Sequence, residues 1–277
     1  MFDSGFGGLT VARAVIDLLP DQDLVYFGDT GRYPYGPRPQ EEVRAFSLQI
    51  ARYLRRKYRI KLLVVACNTA SAAALAALRR ELDIPVVGVI DPGLRAATTV
   101  TRTGRVGVIG TVGTIGSGAY EQALTAMTGT GGANGVPTGP GDAPGTRLST
   151  AACPGLVEFV ERGETGGESV TLLVRRLLAP LIEARVDTLL LGCTHYPYLA
   201  RVLSDVMGRE VVLVSSADET AFEVRDLLVE DRNPGRVGRH TFVSSGDSGV
   251  FETIGRRLFG AELVGAVEHR WDTETWD

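Results

Sequence analysis

Two cysteines lie in similar stretches of sequence. Cys67 lies in LLVVACNTASAAAL and Cys193 in TLLLGCTHYPYLAR. In each stretch, apolar residues lead through one small residue to the thiol, a polar pair follows, and a helix is predicted to begin. The pattern places each thiol at the carboxyl end of a buried parallel strand, the edge where open α/β sheets bind ligands. Two thiols facing one cleft could remove and return a proton on opposite faces of one carbon atom.

A packing role is the alternative for these cysteines, because cysteine is a small residue that is often buried. The repeated pattern and the polar neighbours favour the chemical role for Cys67 and Cys193. The helix N-terminus predicted after each thiol would favour the thiolate over the thiol. Cys153, between Ala152 and Pro154, lacks this setting and is expected to be structural.

Hydrogen-bond donors follow each thiol directly. Asn68 and Thr69 follow the first cysteine, and Thr194 and His195 follow the second. These side chains could hold a carboxylate or an ammonium group of a small substrate, although the two threonines could also cap the following helices. His195 is also placed to shuttle the proton of Cys193.

Glycine-rich segments could bring backbone N–H groups close to an anion. Asp3 and Ser4 open one such segment, and a second at 107–113 runs into a hydroxyl-rich turn at 111–117. Neither matches the dinucleotide fingerprint with an acidic residue about 20 positions onward, so a nicotinamide cofactor is not expected.

Alternation of short apolar runs with helical periodicity predicts strand–helix units and a largely parallel sheet. The turn-forming segment 28–37 is predicted to be a loop over the same sheet edge. Strands are predicted at 24–27, 62–66, 86–90, 106–109, 188–191, 211–214 and 240–243. Helices are predicted at 9–19, 40–58, 69–82, 92–101, 118–127, 154–162, 170–184, 197–207, 218–229 and 248–259.

Composition excludes several classes of protein. The 277 residues carry a formal net charge of -4, so general electrostatic binding of nucleic acid or of an anionic membrane is not expected. Three cysteines without a CxxC pair argue against a disulfide framework and indicate a reducing compartment. Without a basic leader or a long apolar run, the sequence predicts a soluble cytoplasmic protein. Lysine, which pyridoxal phosphate needs for a Schiff base, occurs only within the basic run at 52–61.

Six stretches together resemble the glutamate racemase family, whose members are amino-acid racemases that use no cofactor. The stretches are FDSGFGGLTVAR at 2–13, GDTGRYPYGPRP at 28–39, VVACNTASAA at 64–73, GVIGTVGTIGSGAY at 107–120, ACPGLVEFVERG at 152–163 and LGCTHYPYL at 191–199. They span most of the chain, and their combination separates this family from the related aspartate racemases.

The resemblance implies an α/β fold with two pseudo-symmetric lobes, each a mainly parallel sheet flanked by helices, and an active site in the cleft between them. One lobe would comprise residues 1–91 and 208–277 and carry Asp3 and Cys67. The other would comprise residues 92–207 and carry Cys193 and His195.

The resemblance also implies catalytic roles. Cys67 would take the α-proton of D-glutamate and Cys193 that of L-glutamate. Asp3 would assist Cys67, and His195 with Glu158 would assist Cys193. The substrate-binding residues implied are Asp3, Ser4, Tyr35, Gly36, Asn68, Thr69, Thr111, Thr114, Thr194 and His195. No cofactor and no metal ion are expected, a homodimer is expected, and the product D-glutamate would supply peptidoglycan synthesis.

Two departures from the family pattern carry expectations of their own. Only Met1 and Phe2 precede Asp3, whereas the family usually has several apolar residues there, so either the chain start is misplaced or the first strand is truncated. Residues 128–147, dominated by Gly, Pro, Thr and Ala, are expected to be a flexible insertion without a catalytic role.

Four alternatives stay open at this point. The substrate could be aspartate or another acidic amino acid. Cys193 and His195 could instead form the nucleophile and base of a thiol hydrolase or transferase, with Cys67 dispensable. Cys67, Cys193 and His195 could hold zinc. The chain could also be a binding or regulatory homologue with impaired catalysis.

Overall fold

The computed structural model describes residues 1–129, 145–233 and 235–271 and has the expected α/β architecture. The strands are β1 (Phe2–Asp3), β2 (Leu24–Gly28), β3 (Leu63–Val65), β4 (Val86–Gly88), β5 (Arg105–Gly110), β6 (Arg147–Ala152), β7 (Thr188–Gly192), β8 (Val212–Ser215), β9 (His240–Ser244) and β10 (Val267–Glu268). The helices are α1 (Leu9–Leu18), α2 (Gln40–Tyr58), α3 (Asn68–Glu81), α4 (Ile90–Val100), α5 (Val112–Gly116), α6 (Ala119–Gly129), α7 (Leu156–Arg162), α8 (Glu168–Glu183), α9 (Ala200–Met207), α10 (Ser216–Leu227) and α11 (Ser248–Leu258). Short 3₁₀ helices lie at Tyr196–Leu199 and Val229–Asp231.

The strands form two parallel sheets with a repeated strand order. One sheet has six strands in the order β10-β9-β2-β1-β3-β4, and the other has four in the order β6-β5-β7-β8. Every strand pair within the described residues is parallel. The order β2-β1-β3-β4 recurs as β6-β5-β7-β8, so β3 and β7 occupy equivalent positions. The two matching cysteine stretches therefore follow corresponding strands.

The seven predicted strands are confirmed, and three others were missed. The missed strands are β1, β6 and β10, and the short helix α5 was missed with them. β6 reads RLSTAA, which lacks the apolar run of a buried strand because β6 lies at the edge of its sheet. β1 and β10 have two residues each, too few for a detectable period.

β1 comprises Phe2 and Asp3 and lies next to β2 and β3 in the sheet. Phe2 pairs with Phe27 in β2 and with Val65 in β3, so β1 lies inside the sheet despite its length. This pairing brings Asp3 to the carboxyl edge of the sheet beside Gly28.

The predicted lobe boundary at 207/208 divides strands that pair. β8 pairs with β7 in the four-stranded sheet, whereas the prediction assigned residues from 208 onward to the other lobe. Of the predicted insertion at 128–147, residues 130–144 lie outside the described residues, while α6 ends at Gly129 and β6 begins at Arg147. The division into lobes otherwise remains a prediction.

Each sheet is covered by apolar side chains on both faces. In β2, Tyr26 belongs to one buried cluster and Phe27 to another, as expected when successive strand residues point to opposite faces. Ile109 and Val108 in β5 divide in the same way between the two clusters of the second sheet. These four clusters hold the strand ends in place at the functional edge. Within the described residues, no helix has the length and apolar character needed to cross a membrane.

The contribution of this packing can be tested on one helix. Leu178→Ala should lower the free energy of unfolding by about 3 kcal/mol, because Leu178 is fully buried in α8 and truncation leaves a cavity. Leu172→Ala on the same helix should cost less than about 0.5 kcal/mol, because Leu172 is 57% exposed. Urea unfolding of both variants measures the difference, and equal effects would contradict the packing described for α8.

Candidate active site

A small cleft lies where the carboxyl ends of strands from both sheets meet. Its volume is about 120 Å³. Among the described residues that line it, none is lysine or arginine. The lining includes Ser4, Tyr33, Tyr35, Gly36, Cys67, Asn68, Thr69, Thr111, Cys153, Glu158, Cys193, Thr194 and His195. The structure thus brings both thiols predicted to be catalytic to one cleft.

Cys67 lies at the point where β3 ends and α3 begins. Its side chain caps α3 and accepts a hydrogen bond from the backbone N–H of Ala70, with 3.4 Å between N and Sγ. The Sγ atom donates to Oγ of Ser4 at 3.8 Å. Asp3 is fully buried nearby; its Oδ2 accepts from the backbone N–H of Gly5 at 3.0 Å, and its Oδ1 has no partner among the described residues.

Burial governs the protonation of Cys67. Burial raises the pKa of the thiol, and the negative charge of Asp3 raises it further. The hydrogen bonds from Ala70 and with Ser4 act in the opposite direction, and the resulting pKa is about 12. The sequence-based expectation of a thiolate favoured by the helix N-terminus is therefore outweighed by desolvation at Cys67.

Cys193 follows β7 and has a different ionic neighbour. Its Sγ atom is 3.9 Å from Nδ1 of His195, and Nε2 of the same imidazole is 3.2 Å from Oε1 of Glu161. His195 is buried, and the Glu161 side chain is 18% exposed. The thiol, the imidazole and the carboxylate form a chain that runs from the cleft towards solvent.

His195 carries a proton in this chain at neutral pH. Burial alone would lower the pKa of His195, but the hydrogen bonds with Cys193 and Glu161 outweigh burial and raise that pKa to about 10. A protonated His195 can donate from Nδ1 towards the sulfur and from Nε2 to Glu161. Cys67 therefore has an anion beside it, and Cys193 has a cation.

Glu161 was not predicted, and Glu158 does not take the expected place. Glu158 lines the cleft but is exposed, and the carboxylate that contacts His195 belongs to Glu161, three residues later on α7. Residues three apart lie on one side of a helix, so the sequence alone does not decide between them. The packing of α7 against the 3₁₀ helix that follows His195 determines which of the two glutamates contacts the imidazole.

Three threonine hydroxyls join the two sheets at the cleft. Oγ1 of Thr69 is 2.9 Å from Oγ1 of Thr111 and 3.1 Å from Oγ1 of Thr114, and the last two are 3.0 Å apart. Thr69 and Thr111 line the cleft, whereas Thr114 is fully buried behind them. The hydroxyl groups of these two lining residues can donate to a ligand carboxylate.

The other predicted binding residues divide between the lining and its support. Ser4, Tyr35, Gly36, Asn68 and Thr194 line the cleft. The amide nitrogen of Asn68 donates to the Tyr120 hydroxyl at 2.9 Å, while Oδ1 of Asn68 is buried without a partner in the described residues. Asp3 and Thr114 lie behind the surface. Their roles as substrate contacts, like those of the lining residues, remain predictions.

The glycine-rich segment after Asp3 permits close contact between the two halves of the site. A Cβ atom at Gly7 would collide with the side chains of Thr194 and His195, and one at Gly8 would lie 2.6 Å from Cβ of Asp3. The N–H of Gly5 donates to Asp3 within the same segment, so the expected approach of these N–H groups to a ligand anion stays a prediction.

A larger cavity lies at the opposite, amino-terminal edge of the six-stranded sheet. Its volume is about 300 Å³, and its lining combines apolar residues with groups such as Asp23, Lys61 and Arg236. The described residues that line it include no cysteine and no histidine, so the smaller cleft is the better candidate for chemistry. In the described part of the chain, no group of three or more His, Cys, Asp or Glu residues is arranged to hold a metal ion.

Comparison with known proteins identifies similar chains. Residues 10–222 match the family described as Asp/Glu/Hydantoin racemase. A glutamate racemase from Parafrankia sp. (strain EAN1pec) is 49% identical over 268 residues, which cover 95% of this chain and 91% of the relative. A glutamate racemase from Geobacter metallireducens is 48% identical over 266 residues, covering 95% and 93% of the two chains.

Solved structures are similar over nearly the whole chain. The crystal structure of a glutamate racemase isoform from Bacillus anthracis has a TM-score of 0.86 and 41% identity, covering 98% of this chain and 96% of that one. The structure of glutamate racemase from Francisella tularensis in complex with D-glutamate has a TM-score of 0.84 and 27% identity, covering 97% and 95%.

The contact between His195 and Glu161 predicts a change in titration. Glu161→Gln should lower the pKa of His195 from about 10, because a neutral amide stabilises the imidazolium less than a carboxylate does. Glu158→Gln, three residues earlier on α7, is the matched control and should leave this pKa unchanged. NMR titration of the imidazole resonances measures both, and a decrease confined to Glu158→Gln would contradict the assignment.

The same pair predicts a pH dependence of stability. The pKa of His195 is raised in the folded state, so its contribution to stability is complete below the unfolded pKa of about 6.5 and is lost as pH rises through about 10. The loss of unfolding free energy in Glu161→Gln should therefore shrink between these pH values. Urea unfolding at pH 6 and pH 10 tests this, and a larger loss at pH 10 would contradict it.

Proposed function

The chain belongs to the Asp/Glu/Hydantoin racemase family, and we propose that it interconverts L-glutamate and D-glutamate without a cofactor. The observation that carries this proposal is the presence of Cys67 and Cys193, at the ends of equivalent strands, in the lining of one small cleft. A racemase needs one group that removes the α-proton and a second group that returns a proton to the opposite face of the carbon.

Glutamate is the substrate supported by the relatives. The proteins that share 48% and 49% identity over 95% of the chain are glutamate racemases, and the Francisella tularensis structure contains D-glutamate. The cleft is also small and offers hydroxyl and amide groups, which suit the carboxylates and the ammonium group of an amino acid.

The reaction moves one proton at each face of the α-carbon. With L-glutamate, the thiolate of Cys193 takes the α-proton and becomes a thiol, and the electron pair remains on the carbon. That pair takes the proton of the Cys67 thiol on the opposite face, which leaves Cys67 as the thiolate. With D-glutamate the two cysteines exchange roles.

The neighbouring ionisable groups prepare each thiol for its part. Asp3 assists Cys67, and His195 assists Cys193. We assign the carboxylate that supports His195 to Glu161 rather than Glu158, because Glu161 makes the contact with the imidazole. His195 can then pass protons between Cys193 and the outside of the cleft.

Hydrogen-bond donors at the substrate carboxylate lower the energy of the carbanion-like transition state. Negative charge develops towards the α-carboxylate as the α-proton leaves, and fixed donors stabilise it most in a site sheltered from water. Thr69, Thr111 and Thr194 supply hydroxyl groups at the cleft surface. Oδ1 of Asn68, which has no partner among the described residues, would accept a hydrogen bond from the substrate ammonium group.

Several wider expectations accompany this function. D-glutamate formed by this reaction would supply peptidoglycan synthesis. A homodimer, a cytoplasmic location and the absence of a nucleic-acid partner stay predictions.

Proton exchange in deuterated water tests the proposal directly. With L-glutamate and no added cofactor, the wild-type protein should replace the Cα hydrogen by deuterium and abolish optical rotation. Cys67→Ser and Cys193→Ser should each reduce racemisation by at least about 100-fold, because each removes one of the two proton-transfer groups. Cys153→Ser, which alters the third buried cysteine, is the matched control and should retain exchange. Proton NMR and polarimetry give the two readouts.

Other outcomes would identify a different function. Full activity of Cys67→Ser would contradict the two-thiol reaction and favour Cys193 as a nucleophile. Binding of glutamate without exchange in the wild type would indicate a binding protein. Faster racemisation of L-aspartate than of L-glutamate would replace the proposed substrate.

A further inference from the structure

The residues after β10 reach the loop at 28–37 beside the cleft, and we propose that Trp271 is a positioning residue for the substrate site. Trp271 does not line the cleft. It acts on the cleft through Asp29 and Tyr35. This inference rests on the proposed racemase function, because its kinetic consequence is a change in the binding of glutamate.

Trp271 is held in place by strand pairing and by ring contacts. β10 pairs with β9, and the backbone N–H of His269 donates to the carbonyl oxygen of Ser244 at 2.8 Å. The indole ring of Trp271 packs against Phe27 with 5.5 Å between ring centroids. These contacts aim the indole N–H at Oδ1 of Asp29, at 3.0 Å.

Asp29 is fully buried, and its carboxylate accepts hydrogen bonds from four side chains. Oδ1 accepts from Oγ of Ser245 at 2.6 Å and from the indole of Trp271. Oδ2 accepts from Nε of Arg32 at 2.8 Å and from the hydroxyl of Tyr35. Removing one of these donors leaves a buried carboxylate oxygen without a partner, which destabilises the arrangement that holds Tyr35 against Asp29.

The same carboxylate fixes the wall of the cleft. Tyr35 and Gly36 line the cleft, and the carbonyl oxygen of Gly36 accepts from the backbone N–H of Gly113 in the other half of the site at 2.8 Å. The backbone N–H of Asp29 donates to the carbonyl oxygen of Asp3 at 3.0 Å. Asp29 thus connects Trp271 to a lining residue on one side and to the neighbour of Cys67 on the other.

The indole also fixes Arg32 between two rings. The guanidinium carbon lies 4.1 Å from the centroid of Phe46 and 4.3 Å from that of Trp271. This stacking holds the Nε atom against Asp29. Trp271 therefore supports the loop in two ways, through its N–H group and through its ring.

The physical consequence is a shift in loop population. Without the indole N–H, Tyr35 and Gly36 spend more time away from their place in the cleft wall. The apparent affinity for glutamate then falls in proportion to the fraction of molecules that keep the binding-competent loop conformation. Neither thiol and neither of the flanking groups His195 and Glu161 changes, so the proton-transfer steps keep their rate in the bound complex.

The Trp271→Phe variant separates the hydrogen bond from the ring. KM for glutamate should rise about three- to tenfold, the range for the net contribution of one ordinary hydrogen bond, while kcat stays within about twofold. Ser245→Ala removes the other donor to Oδ1 and should reproduce this split. Trp271→Ala, which also removes the ring from Arg32, should raise KM further.

A matched control separates positioning from general destabilisation. Thr101→Val removes a hydroxyl donor to the Asp187 carboxylate, a 2.6 Å hydrogen bond outside the cleft lining. This variant should lower the melting temperature without changing KM. If Trp271→Phe behaves in the same way, with a lower melting temperature and an unchanged KM, the positioning role is overturned.

Amide hydrogen exchange provides a readout that does not depend on catalysis. In Trp271→Phe, the backbone amides of residues 30–38 should exchange faster, while those of residues 188–199 around Cys193 should not. Unchanged exchange at 30–38 would overturn the proposal even if KM rises. If the wild type fails to racemise glutamate, the proposed function falls, and the exchange result still decides whether Trp271 holds the loop.

Discussion

Burial keeps a proton on a thiol, because a buried site with few charges disfavours the ionised sulfur. Cys67 illustrates the effect, since its pKa rises to about 12 even though it caps a helix and accepts the N–H of Ala70. No lysine or arginine among the described lining residues is present to reverse it. To lose its proton, a thiol in such a place needs an ionisable group beside it, as Cys67 has Asp3 and Cys193 has His195. The position of Asp3, His195 and Glu161 follows from this requirement.

The repeated strand order places a cysteine at the equivalent position of each sheet. Since β3 and β7 hold the same place in their sheets, each delivers a cysteine to the shared edge, followed by a polar pair and a helix. The flanking groups are not repeated. Asp3 enters from β1, next to β3, whereas Glu161 enters from α7, which follows the edge strand β6. The two cysteines therefore lie on equivalent strands but have different ionisable neighbours.

Sequence patterns predicted the parts of this structure that depend on local physics. Seven strands were found because each contains a short apolar run, and the two thiols were found because a similar run precedes both. The features that were missed depend on tertiary contacts. β6 was missed because an edge strand tolerates the polar sequence RLSTAA, and Glu161 was missed because only the packing of α7 decides which of two glutamates meets His195. The raised pKa of Cys67 could not be predicted, because it depends on how deeply the thiol is buried, and the spacing of residues in the sequence does not give that depth.

The different ionisable groups beside the two cysteines can change the kinetics of the proposed reaction only within a thermodynamic limit. L- and D-glutamate have the same free energy in water, so the equilibrium constant between them is one. The ratio kcat/KM must therefore be the same in both directions, however different the anion beside Cys67 and the imidazolium beside Cys193 make the two half-reactions. A change at either flank can alter kcat or KM for one enantiomer, but it must alter their ratio equally for both. The asymmetry can tune how the catalyst saturates with each enantiomer, and it cannot make a one-way enzyme.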